Sequence, residues 1–200
     1  VCGLAVMLYD ARRWPVRDGA HIGLFVVVLV GGILGAYVPA FLAGGLVGER
    51  VQGGRGVPMS ILGGLVFSFL AAAAYKKAIR MNWDTSDAFA RGTCLMMAVG
   101  RLGCHASHCC LGVKSSTSWG MDFGDGSLRV PIQLVESGLM FALFGVFSVL
   151  EQRDLFPHRR LFLFFVAYGS LRFGLEAWRE PMGAQWAGLG SYQWFALALV

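Results

Sequence analysis

Five stretches of the chain are built almost wholly of apolar residues: Ala20–Val47, Val57–Tyr75, Ala88–Gly103, Val130–Leu150 and Leu161–Trp178. A helix needs about 20 such residues to cross a hydrocarbon core about 30 Å thick. In lipid an unpaired backbone N–H or C=O costs several kcal/mol, so runs of this kind must close their hydrogen bonds internally, as helices. Two shorter runs, Val1–Tyr9 and Tyr192–Val200, sit at the ends and read as partial spans. The expected fold is all-α: a polytopic transmembrane helical bundle of about five full spans and two truncated ones. We expect residues 1–200 to form a single integral-membrane domain, an internal piece of a longer protein. Pro39 and nearby glycines predict a kink or re-entrant piece in the stretch from Ala20. Only 14% of residues are charged against 56% hydrophobic. Soluble domains carry about a quarter charged residues, so a soluble globule and a disordered chain are both excluded.

The formal net charge is +5, but no basic stripe interleaved with aromatics points to nucleic acid. In a membrane protein Lys and Arg report orientation instead. Alternate loops carry Arg12, Arg13, Arg17, Lys76, Lys77, Arg80, Arg153, Arg159 and Arg160, nine in all. The other loops carry Arg50, Arg55, Lys114, Arg129 and Arg179, which is five. The richer side is expected to be cytoplasmic.

That orientation places Arg101, Glu136, Arg172, Glu176 and Arg179 at one depth, under the outer leaflet. Charge inside a bilayer is costly and is kept mainly where it pairs or acts. Arg172, Glu176 and Arg179 share one helix face. Taken alone, Arg172–Glu176 reads equally well as an ion pair that locks the bundle, and Arg101 or Arg179 as residues reaching for the interface. Together the set holds more positive than negative charge. Guanidinium groups bind phosphate bidentately, so a lipid phosphate is the expected ligand.

At these residues the chain resembles a known family. Gly100-Arg101-Leu102-Gly103 looks like the Gly-Arg-x-Gly signature of bacterial prolipoprotein diacylglyceryl transferases. Tyr168-Gly169 with Arg172-Phe173-x-x-Glu176-x-x-Arg179 resembles their Arg-Phe-x-x-Glu-x-x-Arg helix, and Pro131-x-Gln133-Leu134-x-Glu136 their Pro-x-Gln-Leu-Tyr-Glu segment. Gly63-Gly64 stands where they have His-Gly-Gly. The resemblance implies a divergent member or fragment of a multi-pass inner-membrane enzyme. Its reaction would move a diacylglyceryl group from phosphatidylglycerol to the lipobox cysteine thiol of a prolipoprotein signal peptide. Arg101 and Arg172 would then be catalytic. Gly100, Gly103, Gln133, Glu136, Glu176 and Arg179 would bind substrate. Membrane lipids and the signal peptide would be the partners, and neither a cofactor nor a metal is implied.

The departures concern proton handling. Leu62 and Val130 stand where the family has histidines, and Val135 where it has tyrosine. Ile33 and Leu34 stand near where its Gly-Gly-Arg segment has arginine. His105, one turn past Arg101, is the candidate replacement base, with His108 second, because imidazole titrates near neutrality. A phospholipid-binding paralogue without transfer activity is the alternative reading.

Cys104, His105, His108, Cys109 and Cys110 also invite a metal or redox reading, since thiolate and imidazole are good zinc and copper ligands. The resemblance favours a structural turn instead, with Cys104–Cys110 and Cys109–Cys110 disulfides both open on an oxidising face. The remaining features read as structure. Met96 and Met97 pack. Trp14, Trp83, Trp119, Trp178 and Trp186 form an interfacial belt. Asp84–Asp87 cap the fourth span.

Overall fold

A computed structural model describes residues 2–11, 19–47, 61–81, 85–115, 118–179, 185–186, 189–190 and 193. They fall into two compact units, residues 15–83 and residues 1–14 with 84–200.

The first unit is a pair of helices, which we number in chain order as α2 (Gly19–Val47) and α3 (Ile61–Ala78). Their contact is made by small residues. A Cβ on Gly35 would stand 2.2 Å from the Phe67 Cβ, and one on Gly31 2.7 Å from the Ala71 Cβ. Lipid supplies no hydrophobic force between helices, so backbones that approach closely gain their stability from van der Waals packing. Two hydroxyls complete the seam. Ser68 Oγ donates to the Val28 carbonyl at 3.0 Å and Tyr75 OH to the Ala20 carbonyl at 3.2 Å. Gly64, quoted above for the resemblance, also lies in this seam: a Cβ on it would stand 3.1 Å from the Gly32 carbonyl oxygen. Of the two alternatives expected at Pro39, a kink or a re-entrant piece, the continuous α2 helix over Gly19–Val47 excludes the re-entrant piece. Gly35→Val should therefore force the helices apart and cost about 1–3 kcal/mol, the usual penalty of overpacking. Thermal melting in detergent reads this, and Gly35→Val with Phe67→Ala should recover part of the loss. An unchanged melting temperature in the single variant would contradict the seam.

The second unit contains α1 (Cys2–Ala11), α4 (Asp87–Ala106), α5 (Ile132–Gln152) and α6 (Arg160–Leu175), the last extended by a 3-10 turn over Glu176–Trp178. α1 lies on α4 with Gly3 against Gly92, and Arg91 is ion-paired with the buried Asp10. α5 lies along α4, where Ser137 Oγ donates to the Ala98 carbonyl at 2.9 Å. Burial is inverted relative to a soluble protein. Phe162, Val146 and Met96 are more than half exposed, whereas Arg101, Glu136, Arg160 and Arg172 are each 5% exposed. Apolar side chains outward and paired charges inward is the arrangement a lipid solvent selects.

Among the described residues three helical stretches are long and apolar enough to cross a membrane: Gly19–Tyr37, Ile132–Gln152 and Arg160–Trp178. That is fewer than the five full spans expected. α4 carries Asp87, Arg91 and Arg101, and α3 ends in Lys76 and Lys77. The first four residues of the expected run Val57–Tyr75, and the run Tyr192–Val200 apart from Gln193, lie outside the described residues.

Ser86 holds the N-cap position of α4 and makes no side-chain cap bond, and Asp87 is the first residue inside the helix. The Asp87 carboxylate accepts the backbone N–H of His158 at 2.7 Å and of Arg160 at 3.0 Å. It thereby holds the turn before α6, in which Asp154, Phe156 and His158 adopt left-handed backbone angles. Arg160, counted above as a loop charge, is buried there and ion-paired with Asp87, Glu151 and Asp154.

Candidate functional site

The segment between α4 and α5, read from sequence only as a long polar connection, is folded. Met121–Asp122 pairs antiparallel with Leu128–Arg129, as strands β1 and β2. Asp122 Oδ1 accepts the N–H groups of Gly124 and Gly126, both at positive φ, which fixes the turn. Asp125 is drawn down to about 2 by hydrogen bonds from Ser127 and Arg129. Further bridges join Lys114 to Arg129 and Gly112 to Arg179. A Cβ on Gly112 would lie 2.3 Å from the Val130 carbonyl oxygen, so only glycine fits. The Val113 N–H donates to the Trp178 carbonyl at 3.1 Å. This strand therefore pins the chain just past α6, and with it Arg179.

Glu136, in the second turn of α5, is where the charges meet. Its Oε2 pairs with Arg101 Nε from α4. Its Oε1 lies 3.1 Å from Arg172 Nη1 of α6 and 3.5 Å from Arg179 Nη1 beyond it. Arg172 Nη2 is also 2.7 Å from Glu176 Oε2, the i, i+4 pair expected from spacing. Three guanidinium groups thus share two carboxylates, and all but Glu176 are buried. Arg101, Glu136, Tyr168 and Arg172 line a small, partly open cavity of about 10 Å³ with Met97, Met140, Leu171 and Leu175, about the room one water needs.

Tyr168 was quoted above only as part of a motif. It is 4% exposed and stacks on Phe164 with ring planes 1° apart. Its hydroxyl has no hydrogen-bond partner among the described residues. The signal was present: Tyr168 is four residues before Arg172 and so shares its face.

The other expected site residues lie elsewhere. Gln133 is fully buried, and its Nε2 donates to the Cys109 carbonyl at 2.6 Å, so it braces the turn after α4. Gly100 and Gly103 are exposed, and a Cβ on either would meet nothing within 4 Å. α4 does continue past Gly103, which puts Arg101 and His105 on one face. Yet the imidazoles of His105 and His108 both meet Phe123 edge-on, at 5.6 and 5.7 Å. His105 Nδ1 is buried without a hydrogen-bond partner among the described residues. Cys110, by contrast, is drawn down to about 5, first by its hydrogen bond with Cys104 and then, against burial, by the charges of Arg179 and Arg101.

A second, open cavity of about 210 Å³ runs along α5 and α6, lined by Leu139, Ser170, Leu171, Gly174, Leu175 and Trp178. Leu171 and Leu175 border both cavities, so an apolar groove adjoins the charged cluster.

The family model of prolipoprotein diacylglyceryl transferase matches residues 1–200. A phosphatidylglycerol--prolipoprotein diacylglyceryl transferase of Leifsonia xyli subsp. xyli is 30% identical, the match covering 99% of this chain and 69% of that protein. One of Bordetella parapertussis is 33% identical over 92% of this chain and 75% of its own length. One of Zymomonas mobilis subsp. mobilis is 32% identical over 77% of this chain and 56% of its own. With a match over the whole chain, and with the quoted arginines and glutamates drawn into one buried cluster, the protein belongs to the prolipoprotein diacylglyceryl transferase family.

Proposed function

We propose that this chain transfers a diacylglyceryl group from phosphatidylglycerol to the lipobox cysteine thiol of prolipoproteins. The observation that carries the reading is the Glu136 cluster, in a member of this family. Each guanidinium has five N–H donors, and the two carboxylates engage only some of them. The surplus positive charge suits a phosphate that gains charge as it leaves the glycerol carbon. The groove beside Leu171 and Leu175 suits an acyl chain. In this reading Arg101 and Arg172 stabilise the leaving phosphate. Glu136, Glu176 and Gln133 hold them and the adjoining turn, Arg179 adds charge at the rim, and Gly100 and Gly103 leave space at the α4 surface. The thiolate is the attacking species, and His105 takes its proton.

The reading includes one integral-membrane domain of about five full spans and two partial ones, set in a bacterial inner membrane with the cluster under the outer leaflet. A cysteine at Lys114 should then be labelled from outside intact cells by an impermeant maleimide, and a cysteine at Lys77 only after lysis. The reverse pattern would put the cluster under the wrong leaflet.

Transfer from labelled phosphatidylglycerol to a lipobox peptide, with complementation of a transferase-depleted bacterium, tests the function. His105→Gln should abolish transfer while phospholipid still co-purifies, and His108→Gln should cost less. Lipid binding without transfer in the parent would instead support the second reading, a lipid-binding paralogue. The specific ground for it is that Leu62 and Val130 can accept no proton.

A further inference from the structure

Three of the five cysteines lie within seven residues, at the end of α4 and in the turn after it. The turn is strained and pinned. His108 and Cys110 have φ of 51° and 57°, a region that costs non-glycine residues about 1–3 kcal/mol and persists only where surroundings enforce it. The Cys109 N–H donates to the Cys104 carbonyl at 3.1 Å, and the buried Gln133 holds the Cys109 carbonyl from α5. The result is that the sulfurs of Cys104, Cys109 and Cys110 all lie within 4.8 Å of one another. The two histidines, which a mixed site would use, are turned onto Phe123 instead.

From this geometry we propose a metal site: Cys104, Cys109 and Cys110 bind one soft d10 cation, zinc or copper(I), through three thiolates. At a metal–sulfur distance of about 2.3 Å, sulfurs around a tetrahedral ion stand about 3.8 Å apart. Each sulfur need move inward by only about half an ångström. A donor set of thiolates alone selects soft ions over magnesium or calcium. Cys104 and Cys110 are half-buried and Cys109 is exposed, which gives an ion a way in. Three thiolates leave a loaded site with net negative charge for either ion, so Arg101, one turn before Cys104, favours the loaded state. A disulfide would use two of the sulfurs and leave the third idle against it. The proposal stands independently of the transfer reading.

The full chain, purified in detergent and reduced, is dialysed in separate arms against zinc and against copper(I). We expect about one ion per chain in at least one arm. Maleimide labelling of Cys104, Cys109 and Cys110, read by peptide mass spectrometry, should slow at least tenfold and recover with chelator, while exposed Cys2 labels unchanged. Cys104→Ser/Cys109→Ser/Cys110→Ser should lose the ion, and His105→Gln/His108→Gln should keep it. If the triple serine variant does not fold, the parent's chelator-reversible protection decides. Unprotected thiols in both arms would overturn the site, as would an ion retained by a folded triple variant. So would a disulfide among the three in protein taken unreduced from membranes, if that protein binds no ion after reduction.

Discussion

Glu136→Ala is expected to destabilise the protein by about 3–5 kcal/mol, the cost of leaving a buried ion group without its counter-charge. The figure rests on geometry: one carboxylate faces Arg101, Arg172 and Arg179, from α4, α6 and the segment beyond it. Its removal leaves three guanidinium groups around a small cavity, with Glu176 alone to balance them. Glu136→Gln keeps the shape and some hydrogen bonds, so its loss should be smaller. Unfolding in mixed micelles measures both. A Glu136→Ala protein as stable as its parent would show that the arginines find other partners and that Glu136 is no hub.

The second large effect concerns turnover. Arg172→Ala should reduce the rate of transfer from phosphatidylglycerol by about 10²–10³, as expected when a donor aimed at developing charge is removed. Arg101→Ala should do the same. Lysine at either position should restore only part, because it offers a point charge and not a planar fork. Arg179 stands farther from Glu136, at 3.5 Å, and Arg179→Ala should cost less. The losses should fall on kcat more than on KM, since the interaction strengthens as the phosphate leaves. Folded alanine variants that transfer at the parent rate would remove the arginines from the chemistry.

The charged cluster was legible because a charge in an apolar run has few explanations, and because Arg172, Glu176 and Arg179 follow helical spacing. What joins distant segments was not legible. Arg91 finds Asp10 across 81 residues, and neither residue names the other. Asp87 looked like a cap for its own helix, but the turn before α6 supplies backbone donors that water would otherwise satisfy. His105 has the spacing to face Arg101, yet Phe123 from the intervening hairpin offers its ring. Spacing fixes which face a side chain leaves from, and the neighbour that arrives there decides what it touches. Among the described residues α4 falls below a hydropathy threshold for a related reason: it carries charges whose burial in pairs no hydropathy average records.

The bond network around Asp87 also imposes an order on biosynthesis. Its carboxylate serves donors and charges that all lie beyond residue 150. At ordinary translation rates those residues follow Asp87 by on the order of ten seconds. Through that interval α4 carries an acid at its first turn, where the helix dipole favours it, without the partners beyond residue 150 that hold it in the finished fold. Arg160 closes the arrangement when it arrives, joining Asp87 to Glu151 and Asp154. Synthesis arrested before α6 would leave Asp87 without the backbone donors of His158 and Arg160 that it serves in the finished chain.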